Sequence, residues 1–94
     1  MKEFTIVYLP SKVYRVTPGK NPFAFHRSTV SGLSLQDVIK HLEHQTIEKR
    51  NFGLYLSSDA PTEDQQILKE RFSKLPKFSG LSLVDLTIQR HQKL

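Results

Sequence analysis

The sequence predicts an α+β fold, in which a mixed sheet carries a main helix on one face. Three observations predict it: two runs of strand-forming residues open the chain, two stretches with helical spacing follow, and a strand-like run comes after each helical stretch. Strands that flank helices in this order are typical of folds with helices packed on a sheet. We expect residues 1–94 to form one domain, with residues 90–94 as a frayed tail.

An N-terminal β-hairpin is the first expected element. Residues 2–9 and 12–17 are rich in Phe, Thr, Ile, Val and Tyr, and the break at residues 10–11 suits a turn between two strands. Residues 18–22 contain two prolines and a glycine, which predicts a loop. Residues 23–30 are compatible with either a third short strand or an ordered loop.

The main helix is the clearest element of the sequence. Ser34 is placed to cap its N-terminus, and Asp37 occupies the position that completes a capping box. Four apolar residues at i, i+3, i+4 and i+7 share one helical face: Leu35, Val38, Ile39 and Leu42. We expect the helix to fade by Lys49.

A strand, a second helix and a last strand complete the expected fold. Residues 52–56 alternate as a strand does, and the second helix is predicted to end before Pro76. Its apolar face consists of Leu68, Phe72 and Leu75. The last strand is expected at residues 81–89. The expected core comprises Leu35, Val38, Ile39, Leu42, Phe52, Leu54, Leu56, Val84, Leu86 and Ile88.

Composition excludes several classes of protein. The 94 residues include no cysteine, which excludes disulfides, cysteine-based zinc sites and thiol catalysis. A small chain without disulfides indicates a reducing compartment, and we expect a cytoplasmic location. No signal-peptide pattern is present, and no apolar run approaches the roughly 18 residues of a membrane span.

The chain is basic, with a formal net charge of +5. The excess is concentrated at the two ends: residues 1–27 hold five basic residues and one acid, and residues 67–94 hold six basic residues and two acids. Such an excess attracts acidic proteins, anionic lipid or nucleic acid, and charge alone does not choose among them.

No catalytic motif is recognisable in the sequence. It contains no Gly-x-Ser-x-Gly, no glycine-rich phosphate loop and no His-Glu-x-x-His. The acidic residues Asp59, Glu63 and Asp64 lie at a helix start, where the helix dipole explains them. We therefore expect a protein that is not an enzyme and that holds no cofactor.

Histidines at helical spacing raise the question of a metal site. His41 and His44 are three residues apart, a spacing at which two histidines can share a metal, and His26 or His91 would have to fold close to them. Histidines on a helix flank are more commonly solvated or partly packed. We therefore predict no metal site.

Three segments carry a resemblance to a known family: Ile6-Val7-Tyr8-Leu9-Pro10-Ser11-Lys12, Gly32-Leu33-Ser34-Leu35-Gln36-Asp37-Val38 and Phe52-Gly53-Leu54-Tyr55-Leu56-Ser57. With these segments the chain resembles the ubiquitin-like β-grasp superfamily. It is most similar to Ras-binding and Ras-association domains and to the ubiquitin-like first lobes of FERM proteins and talin. The resemblance implies an N-terminal β-hairpin, a main helix packed across a mixed sheet, and a second helix before the last strand.

The resemblance also implies a function in signalling. Family members dock small GTPases, so we expect a protein-interaction module for an acidic partner, a Ras- or Rap-type GTPase. The positions that align with the basic GTPase contacts of Raf-type domains are Ile6, Tyr14 and Thr46, and basic residues lie nearby instead. The expected partner-binding residues are Lys12, Arg15, Lys20, Lys40 and His44.

A border strand is the expected means of docking. If Tyr14 and Val16 face the core, Arg15 faces outward from the second strand. If this strand lies at the sheet edge, its backbone can pair with a strand of the partner while the basic side chains steer the approach. The alternative is that these residues are solvated charges that prevent edge aggregation.

A second basic group leaves other functions open. Its residues, which precede and follow the end of the second helix, are Lys69, Arg71, Lys74 and Lys77. They suit a FERM- or talin-like scaffold lobe that contacts anionic membrane. They suit nucleic acid less well, because few aromatic residues that could stack on bases lie outside the expected core, and Tyr55 is the main candidate. A solvated helix face, with Glu70 interleaved, is the more common explanation of such a pattern. A further alternative is a small phage- or plasmid-type inhibitor that binds a host protein or nucleic acid.

Overall fold

A computed structural model describes residues 2–22, 26–45 and 50–86 of the chain. These residues form five strands and two helices. In chain order the elements are β1 (Lys2–Tyr8), β2 (Tyr14–Pro18), β3 (Val30–Leu33), α1 (Leu35–Gln45), β4 (Phe52–Ser57), α2 (Thr62–Ser73) and β5 (Phe78–Val84). The predicted main helix across a mixed sheet, with a second helix before the last strand, is confirmed.

The strands form one sheet in the order β3-β2-β1-β4-β5. The antiparallel part is a meander of β1, β2 and β3, whereas β4 is parallel to β1 and β5 is parallel to β4. Parallel neighbours require a crossover, and each crossover here contains a helix. The connection from β1 to β4 includes α1, and the connection from β4 to β5 includes α2. The sheet is therefore mixed, with β1 at its centre and β3 and β5 at its borders.

Both helices cover the same face of the sheet. Alternate residues of the central strands form one core cluster with apolar residues of α1 and α2: Phe4, Ile6, Tyr14, Val16, Val38, Ile39, Leu42, Phe52, Leu54, Leu56, Ala60, Leu68 and Phe72. Because side chains alternate along a strand, the residues between these point to the opposite side, which we call the helix-free face. It carries Glu3, Thr5, Val7, Arg15, Thr17, Tyr55 and Ser57.

The helix α1 begins as its sequence predicts. The Ser34 hydroxyl accepts a 3.1 Å hydrogen bond from the Asp37 backbone N–H, which satisfies one of the free donors at the helix start. Val38, Ile39 and Leu42 are buried and Leu35 is half-buried against the core. The described helix ends at Gln45, and residues 46–49, where fading was expected, lie outside the described part.

The helix α2 confirms most of its predicted face. Pro61 precedes it, and Leu68 and Phe72 are fully buried. Leu75 was predicted on the same face, but it follows the last helical turn and is one of the exposed large apolar residues. The helix stops at Ser73, so Leu75 is no longer held over the sheet.

A bulge corrects the predicted last strand. β5 begins three residues earlier than expected, and its pairing with β4 shifts register between Phe78 and Leu81. One extra residue reverses the alternation, so Leu81 rather than Val84 packs against the core. Val84 is half-buried on the other side, Leu86 is buried outside the main cluster, and the predicted Ile88 lies outside the described residues.

Neither helix of the described chain combines the length and apolar character needed to cross a membrane.

Candidate partner-binding surface

Three of the predicted partner-binding residues follow the course of β2. Arg15 projects from the helix-free face, because its neighbours Tyr14 and Val16 are both buried in the core. Lys12 is exposed in the turn before β2, and Lys20 is exposed just beyond its end. We call Lys12, Arg15 and Lys20 the basic stripe.

The predicted use of β2 as a border strand is wrong. β2 is hydrogen-bonded to β1 on one side and to β3 on the other, so its backbone groups have partners along both edges. β3 covers the edge that residues 12–17 were expected to present. A partner can therefore reach Arg15 only through its side chain, and strand addition at β2 is excluded.

Residues 19–22, which follow β2, fold back over the helix-free face and are tied to it by hydrogen bonds. The Gly19 N–H donates to the Glu3 carbonyl at 2.7 Å, and the Thr5 hydroxyl donates to the Gly19 carbonyl at 2.8 Å. Further along, the Thr29 hydroxyl donates to the Thr17 hydroxyl at 3.4 Å. These contacts bury Thr5 and Thr17 on a face that has no helix.

The same segment fixes the guanidinium group of Arg15. Its Nη2 donates a 3.2 Å hydrogen bond to the carbonyl of Pro22, which is itself buried. This bond uses one of the five donors of the guanidinium group. Arg15 is half-buried, so less side-chain entropy is lost when it binds.

Lys20 and Tyr55 form a cation–π contact at the other end of the basic stripe. The Lys20 Nζ lies 5.7 Å from the centroid of the Tyr55 ring. The Tyr55 hydroxyl donates a 2.7 Å hydrogen bond to Oε2 of Glu3. This hydrogen bond, together with burial, raises the pKa of Tyr55 above its ordinary value. The ring therefore stays neutral beneath the ammonium group across the physiological range.

A shallow depression adjoins Tyr55 on the side toward β5. It has a volume of about 90 Å³ and is lined by Glu3, Gly53, Leu54, Tyr55, Ser79, Gly80 and Ser82. The two glycines leave it open, and a carboxylate and two serines make it polar. It has room for the end of a small polar side chain beside Lys20.

Lys40 and His44, the other predicted partner-binding residues, lie elsewhere. Both are exposed on α1, while Val38, Ile39 and Leu42 of the same helix are buried. Since α1 covers the opposite face of the sheet, Lys40 and His44 point away from Arg15 and Lys20. A single globular partner therefore cannot contact Lys40 and His44 together with Arg15 and Lys20.

The second basic group is divided in a similar way. Arg71 Nη2 lies 3.2 Å from both carboxylate oxygens of Glu43 on α1, which turns it toward the groove between the helices. Lys69 lies about 200° around α2 from Arg71, on the flank that faces β5. Lys74 and Lys77 are exposed beyond the helix end. The four residues therefore do not form one flat cationic surface.

Two histidines line a second pocket. This pocket of about 230 Å³ lies at the N-terminal end of β1 and is lined by Lys2, Glu3, Phe4, Pro18, His26, Ser28, His41 and Gln45. The Nδ1 of His26 accepts a 3.0 Å hydrogen bond from the Ser28 N–H. His44 points elsewhere, and the described residues contain no group of three potential metal ligands.

Sequence reasoning did not assign Tyr55 to the partner surface. The signal was present, because the alternation of residues 52–56 places Tyr55 opposite the core-facing Leu54 and Leu56. What the sequence did not contain was the path of the chain after β2, which brings Lys20 to the ring.

Comparisons with known proteins add no relative. The chain matches no protein-family model, no curated protein and no solved structure.

Proposed function

We propose that this chain is a ubiquitin-like protein-interaction domain that docks the acidic surface of a Ras- or Rap-type small GTPase. The docking surface is the basic stripe, whose side chains remain accessible at the helix-free face. The observation that carries the proposal is that Arg15 and Lys20 share this face and are held there by Pro22 and Tyr55.

The order of the elements supports the family assignment. The hairpin of β1 and β2 is followed by α1 across the sheet, and the next strand returns parallel to β1 at its side. This arrangement is compatible with a β-grasp fold. The resemblance of the first strand, the helix start and the Phe52–Ser57 strand to Ras-binding and FERM-type domains supplies the partner class.

Docking through side chains replaces docking through a strand edge. The chain carries a net charge of +5, so an acidic surface is attracted before contact is made. Arg15 offers a guanidinium group oriented by its hydrogen bond to Pro22, and Lys20 offers an ammonium group that contacts an aromatic ring. Because both groups are held in place before binding, association has less conformational entropy to overcome.

Electrostatic docking has a recognisable dependence on salt. Exposed charges are screened over about 8 Å at physiological ionic strength. Added salt therefore lowers mainly the association rate and has little effect on the dissociation rate. A GTPase that binds the basic stripe should therefore show an association rate that falls steeply as salt is raised.

The experiment measures binding of the chain to purified Ras-type and Rap-type GTPases loaded with either a non-hydrolysable GTP analogue or GDP. The proposal predicts binding to the analogue-loaded form of at least one of them and much weaker binding to its GDP form. Absence of binding to every GTPase in both nucleotide states, with the chain shown to be folded, contradicts the proposal.

A further inference from the structure

Among the described residues β5 is a border strand, and it differs from most exposed sheet edges. Proteins usually protect an edge strand with charged residues, prolines or very short length. β5 has seven residues, Phe78-Ser79-Gly80-Leu81-Ser82-Leu83-Val84, and none of them is charged or proline. The opposite border, β3, has four residues. Only the bulge at Ser79 and Gly80 interrupts β5, and it leaves residues 81–84 regular.

The backbone of Leu81 and Leu83 points outward from this border. The Val84 carbonyl accepts a 2.8 Å hydrogen bond from the Ser58 N–H, so Val84 directs its backbone groups toward β4. Both backbone groups of a strand residue point to one side, and the side alternates along the strand. Ser82 therefore also faces β4, while Leu81 and Leu83 present two N–H and two C=O groups to the outside.

An exposed leucine accompanies these backbone groups. Leu83 is 53% exposed, the highest value for a large apolar side chain among the described residues. Its register with the buried Leu56 places it on the helix-bearing side of the sheet, beside the core residue Leu81. A strand added to β5 would cover Leu83 and extend the core outward.

We propose that the strand added to β5 is β5 of a second copy of this chain. The segment Leu81-Ser82-Leu83 reads the same in both directions, so two antiparallel copies related by a two-fold axis at Ser82 match each other. Leu81 of each copy then faces Leu83 of the other as a hydrogen-bonded pair, and four backbone hydrogen bonds form. The same pairing packs each Leu83 side chain against the opposite Leu81.

Charge favours a second copy over an acidic partner strand. β5 itself is neutral, so an acidic segment would find no positive side chain along it, while two copies of β5 place no like charges opposite each other. Lys77 precedes β5 and Asp85 follows it. Antiparallel pairing places Lys77 of one copy and Asp85 of the other at the same end of the new ladder.

The resulting assembly is a continuous ten-stranded sheet. A two-fold axis perpendicular to the sheet keeps the helices of both copies on one side and both helix-free faces on the other. The two basic stripes are then displayed on the same side. This pairing does not depend on the proposed function, because it uses the β5 border and not the basic stripe.

The absence of cysteine allows a direct test by crosslinking. Residues facing each other across a non-hydrogen-bonded antiparallel pair have Cα atoms about 4.5 Å apart, within the range of a disulfide. Ser82 occupies this position on the two-fold axis. Ser82→Cys should therefore form a disulfide-linked dimer on mild oxidation, much faster than the control Ser31→Cys, which places an exposed cysteine on the far border strand β3.

Sedimentation of the unmodified chain over the micromolar range completes the test. We expect a monomer–dimer equilibrium that is not weakened by salt, that Leu83→Lys shifts to monomer, and that Ile67→Lys leaves unchanged, since Ile67 is exposed on α2 away from the border. A chain that stays monomeric at every concentration overturns the proposal. A dimer in which Ser82→Cys crosslinks no faster than Ser31→Cys overturns it as well.

Discussion

The hydroxyl of Tyr14 on β2 donates a 2.6 Å hydrogen bond to Oδ2 of Asp64 on α2, across a separation of fifty residues. Tyr14 is buried, and its ring lies 5.1 Å from that of Tyr8 on the neighbouring strand. The bond ties the start of the second helix to the antiparallel half of the sheet. We interpret it as a structural contact, because the Tyr14 side chain is buried and its hydroxyl proton is donated to Asp64.

Removal of this hydroxyl should destabilise the fold. In Tyr14→Phe the ring still fills its place, but Asp64 loses its donor. Hydrogen bonds to charged groups contribute about 1.5 to 3 kcal/mol, and the partial exposure of Asp64 reduces this to about 1 to 2 kcal/mol in the free energy of unfolding. Urea unfolding measures it. Tyr8→Phe serves as the control, and an equal loss in both variants would contradict the special role of Tyr14.

Alkaline pH should expose the same contact. Burial, and then the hydrogen bond to Asp64, raise the pKa of Tyr14 far above its ordinary value. Above a pH of about 10 the unfolded chain releases this proton while the folded chain retains it, so stability falls by up to about 1.4 kcal/mol per pH unit. Stability is therefore complete below pH 10 and is lost above it.

Unfolding curves measured between pH 8 and about 11.5 check this dependence, and Tyr14→Phe should show a shallower decline than the parent chain. An identical slope for the two proteins would mean that other tyrosines or lysines govern the alkaline transition.

The bulge in β5 depends on the conformation of Gly80. Its φ of 138° is one that residues with a side chain rarely adopt, although no atom lies within 4 Å of an added Cβ. Gly80→Ala should cost about 1 to 3 kcal/mol through backbone strain alone. Thermal unfolding measures the loss against Ser82→Ala, an exposed neighbour that should change little, and a neutral Gly80→Ala would show that the bulge relaxes without cost.

The two helices should be held by their apolar faces and not by their ion pair. Arg71 and Glu43 are both more than one-third exposed, so Arg71→Ala should cost less than about 1 kcal/mol. Leu68 is fully buried, and Leu68→Ala should cost about 2 to 5 kcal/mol. Chemical denaturation compares the two variants, and similar losses would contradict this assignment.

The sequence predicted what depends on local spacing. The apolar face of α1 and the cap at Ser34 follow from residues within two helical turns, and the structure has both. The last strand was out of phase because its pairing with β4 places Leu81 and Leu83 beside the core residues Leu54 and Leu56, and the strand ends at Val84. The alternation of residues 84–88, from which the phase was predicted, does not reveal that pairing.

Only part of the candidate site was predicted, because the rest depends on contacts between residues that are distant in the sequence. Arg15 was correctly placed outside the core, since Tyr14 and Val16 alternate with it. Whether β2 lies at a border depends on β3, a four-residue strand whose pairing with β2 is not local and leaves little trace in composition. The grouping of Lys40 with Arg15 failed because charge spacing along the chain does not reveal which side of the sheet a helix covers.

A matched pair of charge-reversal variants tests the docking surface most directly. Lys12→Glu with Lys20→Glu alters the basic stripe, whereas Lys40→Glu with Lys74→Glu changes the net charge equally on other surfaces. The measurement is the affinity of each for a Ras-type GTPase loaded with a GTP analogue. We predict that the first variant loses at least about tenfold, or about 1.4 kcal/mol, and that the second stays within about threefold of the parent chain. Equal losses in the two variants, or no loss in the first, would contradict docking through the helix-free face.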